Sequence, residues 1–340
     1  MKKILVIQTA FIGDVVLATG IIEKLHAQFP QAQIDFLLRK GNEALLTGHP
    51  FLHEVIVWDK KDQKLRNLWR IIQKVRRTKY DTVINVQRFT ATGLLTVFSG
   101  AKQTIGFDKN PLRRFFTKSI PHVVSTDAVP LHEVQRNQQL IKHLTDDKPA
   151  RPRLYPTEKD YEKVRAYKDT PYITVSPASV WFTKQYPKEK WVDFIKKRSL
   201  TYKVYLLGGP GDKELCADIR QQAMPHPAAS HPAAPTVIDL SGQLSFLQSA
   251  ALMQDAYMNY TNDSAPMHFA SALNAPVTAI YCSTIPAFGF GPLSDKKFIV
   301  EVEEPLDCRP CGLHGYKACP LGHFNCAHHI RDEQLLACLG

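Results

Sequence analysis

Asn262-Asp263-Ser264-Ala265-Pro266-Met267-His268 is the densest chemical signal in the chain. Asn, Asp and Ser favour helix N-caps, and Pro266 suits a first helical turn, where its missing N–H would be unpaired anyway. Met267, Phe269, Ala270, Ala272 and Leu273 then give a short helix its apolar faces. A helix that opens on small polar residues points unpaired N–H groups and a positive dipole end forward, which suits a diphosphate. An ordinary capped helix explains the same residues. Farther back, Ser176, Ser179 and Thr183 bring hydroxyls, and Lys184 a cation, to a loop ending at Pro187. That chemistry fits phosphate oxygens and a leaving group that becomes anionic; the plain alternative is a surface lysine. Near the start, Gln8-Thr9-Ala10-Phe11-Ile12-Gly13-Asp14 follows an apolar run, with Gly13 permitting a tight turn and Asp14 falling where a helix begins. A carboxylate there can accept a proton from a substrate hydroxyl, or cap the helix. Gly208-Gly209-Pro210-Gly211-Asp212 adds a glycine loop whose Asp212, or Glu214 beyond it, suits ribose hydroxyls.

These segments need a scaffold that gathers loop ends, and the hydrophobic pattern supplies one twice. Strands are expected over 3–8, 33–38, 54–58 and 82–86, with helices over 14–29, 42–46 and 65–77. Polarity rises and two prolines appear around Asp146 to Arg153, an interdomain connection. The alternation then restarts with strands over 172–176, 203–207, 237–240 and 257–261 and helices over 188–197, 212–222 and 244–253. A loop rich in Pro, Ala and His is expected over 224–235. The expected fold is α/β, with two Rossmann-like domains facing across a cleft and ligands at the carboxyl ends of the strands. The expected domains are 1–155, 165–328 and a terminal helix over 329–340 packing back on the first domain.

Length and composition agree with two soluble globular domains: 340 residues, 44% hydrophobic and 22% charged. The first apolar run breaks at Gln8, no segment reaches the ~20 apolar residues of a membrane span, and a cytoplasmic protein is expected. The net charge is +11, and residues 1–150 hold 23 Lys and Arg against 13 Asp and Glu. Such a field suits a polyanion, while a solvated helix face is the plainer reading of 60–79. Aromatic and glycine patterns of nucleic-acid modules are missing, so no nucleic-acid partner is expected. Both G-x-G-x-x-G and the P-loop pattern are missing too, which argues against a nicotinamide oxidoreductase.

In order and spacing, Ile12-Gly13-Asp14, Thr183-Lys184-Gln185-Tyr186-Pro187, the 261–268 segment and Cys319-Pro320-Leu321-Gly322-His323 together resemble the ADP-heptose:lipopolysaccharide heptosyltransferases of glycosyltransferase family 9. The last pattern is most similar to the heptosyltransferase II branch. The resemblance implies a B-type glycosyltransferase fold and an inverting transfer of heptose from ADP-heptose that needs no catalytic metal. Asp14 then matches the base and Lys184 the diphosphate-binding lysine. Thr9, Gly13, Ser179, Thr183, Asp212, Asn262, Asp263, Ser264, Ala265 and His268 become expected nucleotide-sugar contacts. Ala265-Pro266 departs from the commoner glycine or leucine, and Pro266 removes one N–H donor. The implied acceptor is a Kdo- and heptose-bearing lipid A precursor at the cytoplasmic face of the inner membrane. Arg113, Arg114 and Lys118 are acceptor-side candidates. A family 9 enzyme using another nucleotide sugar, or a silent nucleotide-binding relative, is the alternative.

Two further patterns stand outside that scheme. His132-Glu133-Val134-Gln135-Arg136 reads as a surface helix, with a place beside the acceptor as the alternative. Cys308, Cys311, Cys319 and Cys326 fall together among several histidines. A structural zinc ion, reduced buried thiols and disulfides are the three readings open for them.

Overall fold

The computed structural model describes residues 2–126, 130–198, 201–224 and 236–339. The loop expected over 224–235 lies outside them except for Met224. The chain divides into two compact units, Met1–Tyr155 and Pro156–Gly340.

In the first unit the strands are β1 (Lys3–Ile7), β2 (Gln33–Arg39), β3 (Glu54–Trp58), β4 (Thr82–Asn85), β5 (Gln103–Phe107) and β6 (Lys118–Ile120). Among the described residues they form one parallel sheet in the order β3-β2-β1-β4-β5-β6. Helices α1 (Ile12–Gln28), α2 (Lys64–Thr78), α3 (Thr90–Val97) and α4 (Glu133–Ile141) cover it. Ile4 to Ile7 are fully buried, as a central strand covered on both faces requires. Helix α2 buries Leu68, Ile71, Ile72 and Val75 and leaves its basic residues in solvent, the solvated face expected of 60–79.

The second unit repeats the winding. Its strands are β7 (Tyr172–Ser176), β8 (Lys203–Leu206), β9 (Val237–Asp239), β10 (Met258–Asn262), β11 (Val277–Tyr281) and β12 (Lys297–Glu301). They lie parallel in the order β12-β11-β10-β7-β8-β9. Counted from β7, this is the same order as the first sheet. The covering helices are α5 (Glu158–Val164), α6 (Lys188–Arg198), α7 (Lys213–Ala223), α8 (Phe246–Gln254) and α9 (Ala265–Leu273), followed by α10 (Asn325–His328) and α11 (Asp332–Ala337).

In this winding the chain reverses its direction of travel between the first and fourth strands of each sheet. The loops leaving those two strands splay apart and open a crevice at the carboxyl edge. Here the pairs are β1 with β4, and β7 with β10. The loops at 8–11 and 262–264, and that at 177–187, all leave such strands.

Several elements differ from the sequence reading, and three of them bear on the site or the domain bounds. Strand β5 was not expected because Gly106 interrupts its apolar pattern; a Cβ there would come within 2.5 Å of the Phe116 ring, so the glycine makes room for that ring. The 132–136 segment is not a surface helix: Glu133, Arg136 and Asn137 are buried. The terminal helix packs within the second unit. Leu335 is buried in the second unit's core, Tyr260 Oη donates to Leu335 O at 3.1 Å, and Lys197 pairs with Asp332 at 2.7 Å. Among the described residues no helix is long and apolar enough to cross a membrane.

Candidate active site

Asp14 is the third residue of α1, and its carboxylate accepts the Phe11 N–H at 3.1 Å, closing the first turn on itself. One oxygen is thereby held and the group sits at the carboxyl edge beside β1. Gly13 is a helical residue rather than a turn residue. Thr9 is buried, and Lys60 reaches it from the loop after β3: Nζ donates to Thr9 O at 2.9 Å and to Thr9 Oγ1 at 2.8 Å. The same ammonium lies 4.8 Å from the Trp58 ring centre. Burial first, then the charges of Arg39 and Lys64, push the Lys60 pKa down to about 8. Lys60 had been counted only as part of a basic stretch, and no local pattern marks it out.

In the second unit Lys184 ends a one-turn 3-10 helix, Phe182–Lys184. Its Nζ lies 2.5 Å from Asp263 Oδ2, and the two side chains are 14% and 8% exposed. Thr284 Oγ1 donates to the same oxygen at 2.7 Å. The expected cation and the expected carboxylate are thus brought together, one from each of the two loops at the β7–β10 crevice. Asn262 laces those loops: Oδ1 accepts from Tyr186 N at 2.9 Å and Nδ2 donates to Pro177 O at 2.7 Å. Buried and bonded to backbone through both ends of its amide, Asn262 shapes the site rather than facing a ligand. Ser264 is the N-cap of α9, and its side chain makes no capping bond. Its hydroxyl turns back to Asn262 O at 3.4 Å, and α9 starts with Ala265 first and Pro266 behind it. His268 is buried one turn into the helix. A lysine cation and the N-terminus of a nine-residue helix thus lie at one crevice, an arrangement whose charge suits an anion.

Thr183 is fixed by the distant 311–316 segment. Thr183 N donates to Tyr316 O at 3.1 Å, and Thr183 Oγ1 accepts from Tyr316 N at 2.7 Å and from Ser283 Oγ at 3.0 Å. Gly315 makes that approach possible. Its φ is +74°, and a Cβ would stand 2.8 Å from Thr183 Oγ1 and 3.2 Å from Lys184 Cγ. Arg309 ties the same segment to the sheet, donating to Cys282 O at 2.7 Å and Thr284 O at 2.8 Å. Sequence reasoning read this stretch for its thiols and missed Ser283, Thr284, Arg309, Gly315 and Tyr316; the paired glycines at 312 and 315 were the available signal.

Other candidates stand apart. Ser179 offers its carbonyl to Gln185 Nε2 at 2.7 Å, and Asp212 accepts Gly209 N–H at 2.7 Å, bracing its own turn. Arg113 and Arg114 lie exposed in the turn between β5 and β6, where Arg113 Nη1 donates to Asp108 O at 3.2 Å. Lys118 opens β6, and its charge acts on His143 together with that of Lys2, at the opposite edge of the sheet from Asp14.

All seven cysteines are free. Among the described residues no group of three or more His, Cys, Asp or Glu side chains is arranged to hold a metal ion, which leaves the zinc reading without support. Burial raises the Cys311 thiol and pushes Cys326 up to about 12, with their neighbouring cysteines adding to both.

Two parallel α/β units wound alike have the fold of B-type glycosyltransferases. The chain belongs to glycosyltransferase family 9 (heptosyltransferase), whose family model matches residues 68–315. Lipopolysaccharide heptosyltransferase 3 of Escherichia coli is 26% identical over 81% of this chain and 82% of its own length. Lipopolysaccharide heptosyltransferase 2 of E. coli K12 is 25% identical over 88% of each. Two solved structures share the fold at 23% identity. One is a family 9 glycosyl transferase from Veillonella parvula, with TM-score 0.82 and coverage of 99% of this chain and 96% of that one. The other is E. coli ADP-heptose lps heptosyltransferase II, with TM-score 0.74 and coverage of 100% and 98%.

Proposed function

We propose that this glycosyltransferase moves heptose from ADP-heptose, with inversion, onto the inner core of a lipopolysaccharide precursor, as a heptosyltransferase II-like enzyme. The observation that carries the reading is the Lys184–Asp263 contact beside the α9 N-terminus: a cation held, by a carboxylate it can leave, where a diphosphate fits. In the reaction the acceptor hydroxyl gives its proton to Asp14 while its oxygen bonds to the anomeric carbon. The bond from that carbon to the diphosphate oxygen breaks, and the electron pair leaves with ADP. Lys184 and the N–H groups opening α9 stabilise the departing charge. Thr183, Ser264 and His268 contribute to the donor site in the second unit.

The II-like assignment rests on the Cys319–His323 pattern, whereas relatives named 2 and 3 are about equally similar. Acceptors with zero, one and two inner-core heptoses therefore belong in one assay. ADP release should depend on the one-heptose acceptor and fall ~10²–10⁴-fold in Asp14→Asn, with donor binding kept. Release on another acceptor would move the assignment within the family. Full turnover by Asp14→Asn would remove the base.

The same reading includes peripheral contact with the cytoplasmic face of an anionic membrane. Helix α2 suits it. It carries Lys64, Arg66, Arg70, Lys74, Arg76 and Arg77 and no acidic residue. Leu65 and Trp69, one turn apart, are 77% and 58% exposed. Cations around exposed Trp and Leu are the composition of an interfacial helix.

A further inference from the structure

The exits of β1 and β4, the two strands at the first unit's crevice, carry amide side chains that the reaction described above leaves unused. Gln8 and Gln87 are 1% and 6% exposed, and Asn85, the last residue of β4, is fully buried. Backbone N–H groups fix which way each amide points. Ala10 N–H donates to Gln8 Oε1 at 3.2 Å, so that oxygen faces its own loop, and Gln87 meets it with Nε2. Gln87 N–H donates in turn to Asn85 Oδ1 at 2.9 Å. Asn110 holds the same strand exit, its Nδ2 donating to Gln87 O at 3.3 Å and to Phe89 O at 3.1 Å. Gly93 leaves room for it, since a Cβ there would meet Asn110 Oδ1.

Those bonds leave other valences unfilled. Gln87 Oε1 and Asn85 Nδ2 are buried with no partner among the described residues, and no hydrogen bond engages Gln8 Nε2 there. One acceptor and two donors are left over, all neutral, on three side chains more than nine-tenths buried. Unpaired groups of this kind cost stability, and apolar side chains would have packed the same space without that cost. A charged ligand does not suit them, because buried neutral amides give its charge no counter-ion. A hydroxyl does suit them: it donates one hydrogen and accepts others, which is the set on offer. The place is apt as well. Strands β1 and β4 are neighbours, ligands of this fold bind where the loops of such strands part, and the loop that begins at Gln8 leads to Asp14.

We propose that the joined amides of Gln8 and Gln87 form a subsite that reads a hydroxyl of the acceptor sugar. A hydroxyl other than the attacking one donates to Gln87 Oε1 and accepts from Gln8 Nε2, and Asn85 Nδ2 offers a second donor at the same strand exit. Because the two glutamines share one hydrogen bond, their free ends are near neighbours, within the reach of a single bridging group. The subsite rests on the first unit taking the acceptor, and deepens that reading by naming the residues that recognise its sugar. Gln8 and Gln87 exchange no proton and break no bond; they decide which acceptor is held beside Asp14. A site built to bond a hydroxyl rejects the analogue that lacks it, because its own buried groups then go unpaired.

The test joins side-chain amide NMR of ¹⁵N-glutamine-labelled protein to acceptor kinetics. The Gln8 and Gln87 signals are identified by their loss in Gln8→Met and Gln87→Met. The methyl glycosides of heptose and of Kdo are the probes: one of them should move both signals, and ADP should move neither. Gln87→Met is close in size and leaves the Ala10–Gln8 bond in place. It should raise the acceptor KM about tenfold or more with the donor KM held. Acceptors lacking one hydroxyl at a time then locate the contact. Wild type should lose a similar factor on one of them, and Gln87→Met should lose nothing further on that one. A general loss of packing would single out no hydroxyl. Amide signals indifferent to both glycosides would mean that water fills the site, and would overturn the proposal. So would signals that follow ADP, or losses that multiply for every deoxy acceptor. Should Gln8→Met fail to fold, Gln87→Met alone identifies its signal and carries the kinetics. If no acceptor supports ADP release, the transferase reading falls, while the glycoside titration of the amides still decides the subsite.

Discussion

Lys184 and Asp263 touch at 2.5 Å in a nearly enclosed setting, and each is the other's main charge partner there. Their variants should differ. Lys184→Ala leaves a buried carboxylate with only Thr284 as donor, and removes the cation that meets the leaving diphosphate. It should lower kcat ~10²-fold or more, by analogy with the loss of a single charge-stabilising donor elsewhere. Asp263→Asn keeps the Thr284 contact and frees the lysine from its counter-ion. ADP affinity should then hold or improve, since no carboxylate competes for the ammonium, while kcat falls less than in Lys184→Ala. Calorimetric ADP binding beside steady-state kinetics separates the two. Equal losses in both variants would mean that the pair works only as a unit and that the lysine does not turn to the phosphate. The sequence made Lys184 and Asp263 candidates by type and spacing. It could not show that they meet, because their loops leave strands far apart in sequence and adjacent only once β7 pairs with β10.

The element that steadies Lys184 is the 302–316 segment, which returns after β12 to lace Thr183 through Tyr316, and Ser283 after β11 through the Cys311 N–H. Gly315 is its narrowest point, with φ +74° and the Lys184 stem against it. Gly315→Ala adds a Cβ both where the backbone disfavours one and where space is lacking. About 1–3 kcal/mol of strain is expected, released by moving either the segment or the lysine. ADP affinity should fall severalfold and the unfolding midpoint by a few degrees. A drop in midpoint with unchanged affinity would show that the segment gives way while the lysine stays put. This element was the least legible in the sequence, where its cysteines drew attention to metal chemistry. Long apolar strands and helices with regular periodicity were legible: β1, β2, β7, β10 and α1 lie within a residue or two of expectation. Those that escaped were short or served a neighbour. Strand β5 gives up a side chain to Phe116, and β6 is only three residues long. Helix α4 carries buried charges where a buried helix would normally carry leucines.

At the scale of the whole molecule the excess charge is lopsided, with 23 basic against 13 acidic residues in the first 150. A field of one sign gathers an anionic partner from a distance of about a Debye length, ~10 Å at 0.1 M salt. Attraction alone would leave the enzyme loosely held; the exposed Leu65 and Trp69 on α2 add a short apolar contact to it. The protein should therefore sediment with phosphatidylcholine vesicles that contain phosphatidylglycerol and not with phosphatidylcholine alone. Sedimentation should fall as salt rises, and Trp69 emission should shift to shorter wavelength on binding. With roughly 1 kcal/mol per basic side chain at an anionic surface, Arg66→Glu/Arg70→Glu should cost more than tenfold in partitioning. Leu65→Ser/Trp69→Ser should weaken binding while leaving its salt dependence in place, because the cations remain. Neither pair lies at Asp14 or Lys184, so turnover of a detergent-dispersed acceptor should persist in both. Equal binding to neutral and anionic vesicles, or binding indifferent to both pairs of substitutions, would leave the charge a matter of acceptor phosphates alone. The basic half of the chain would then serve the substrate rather than the membrane that carries it.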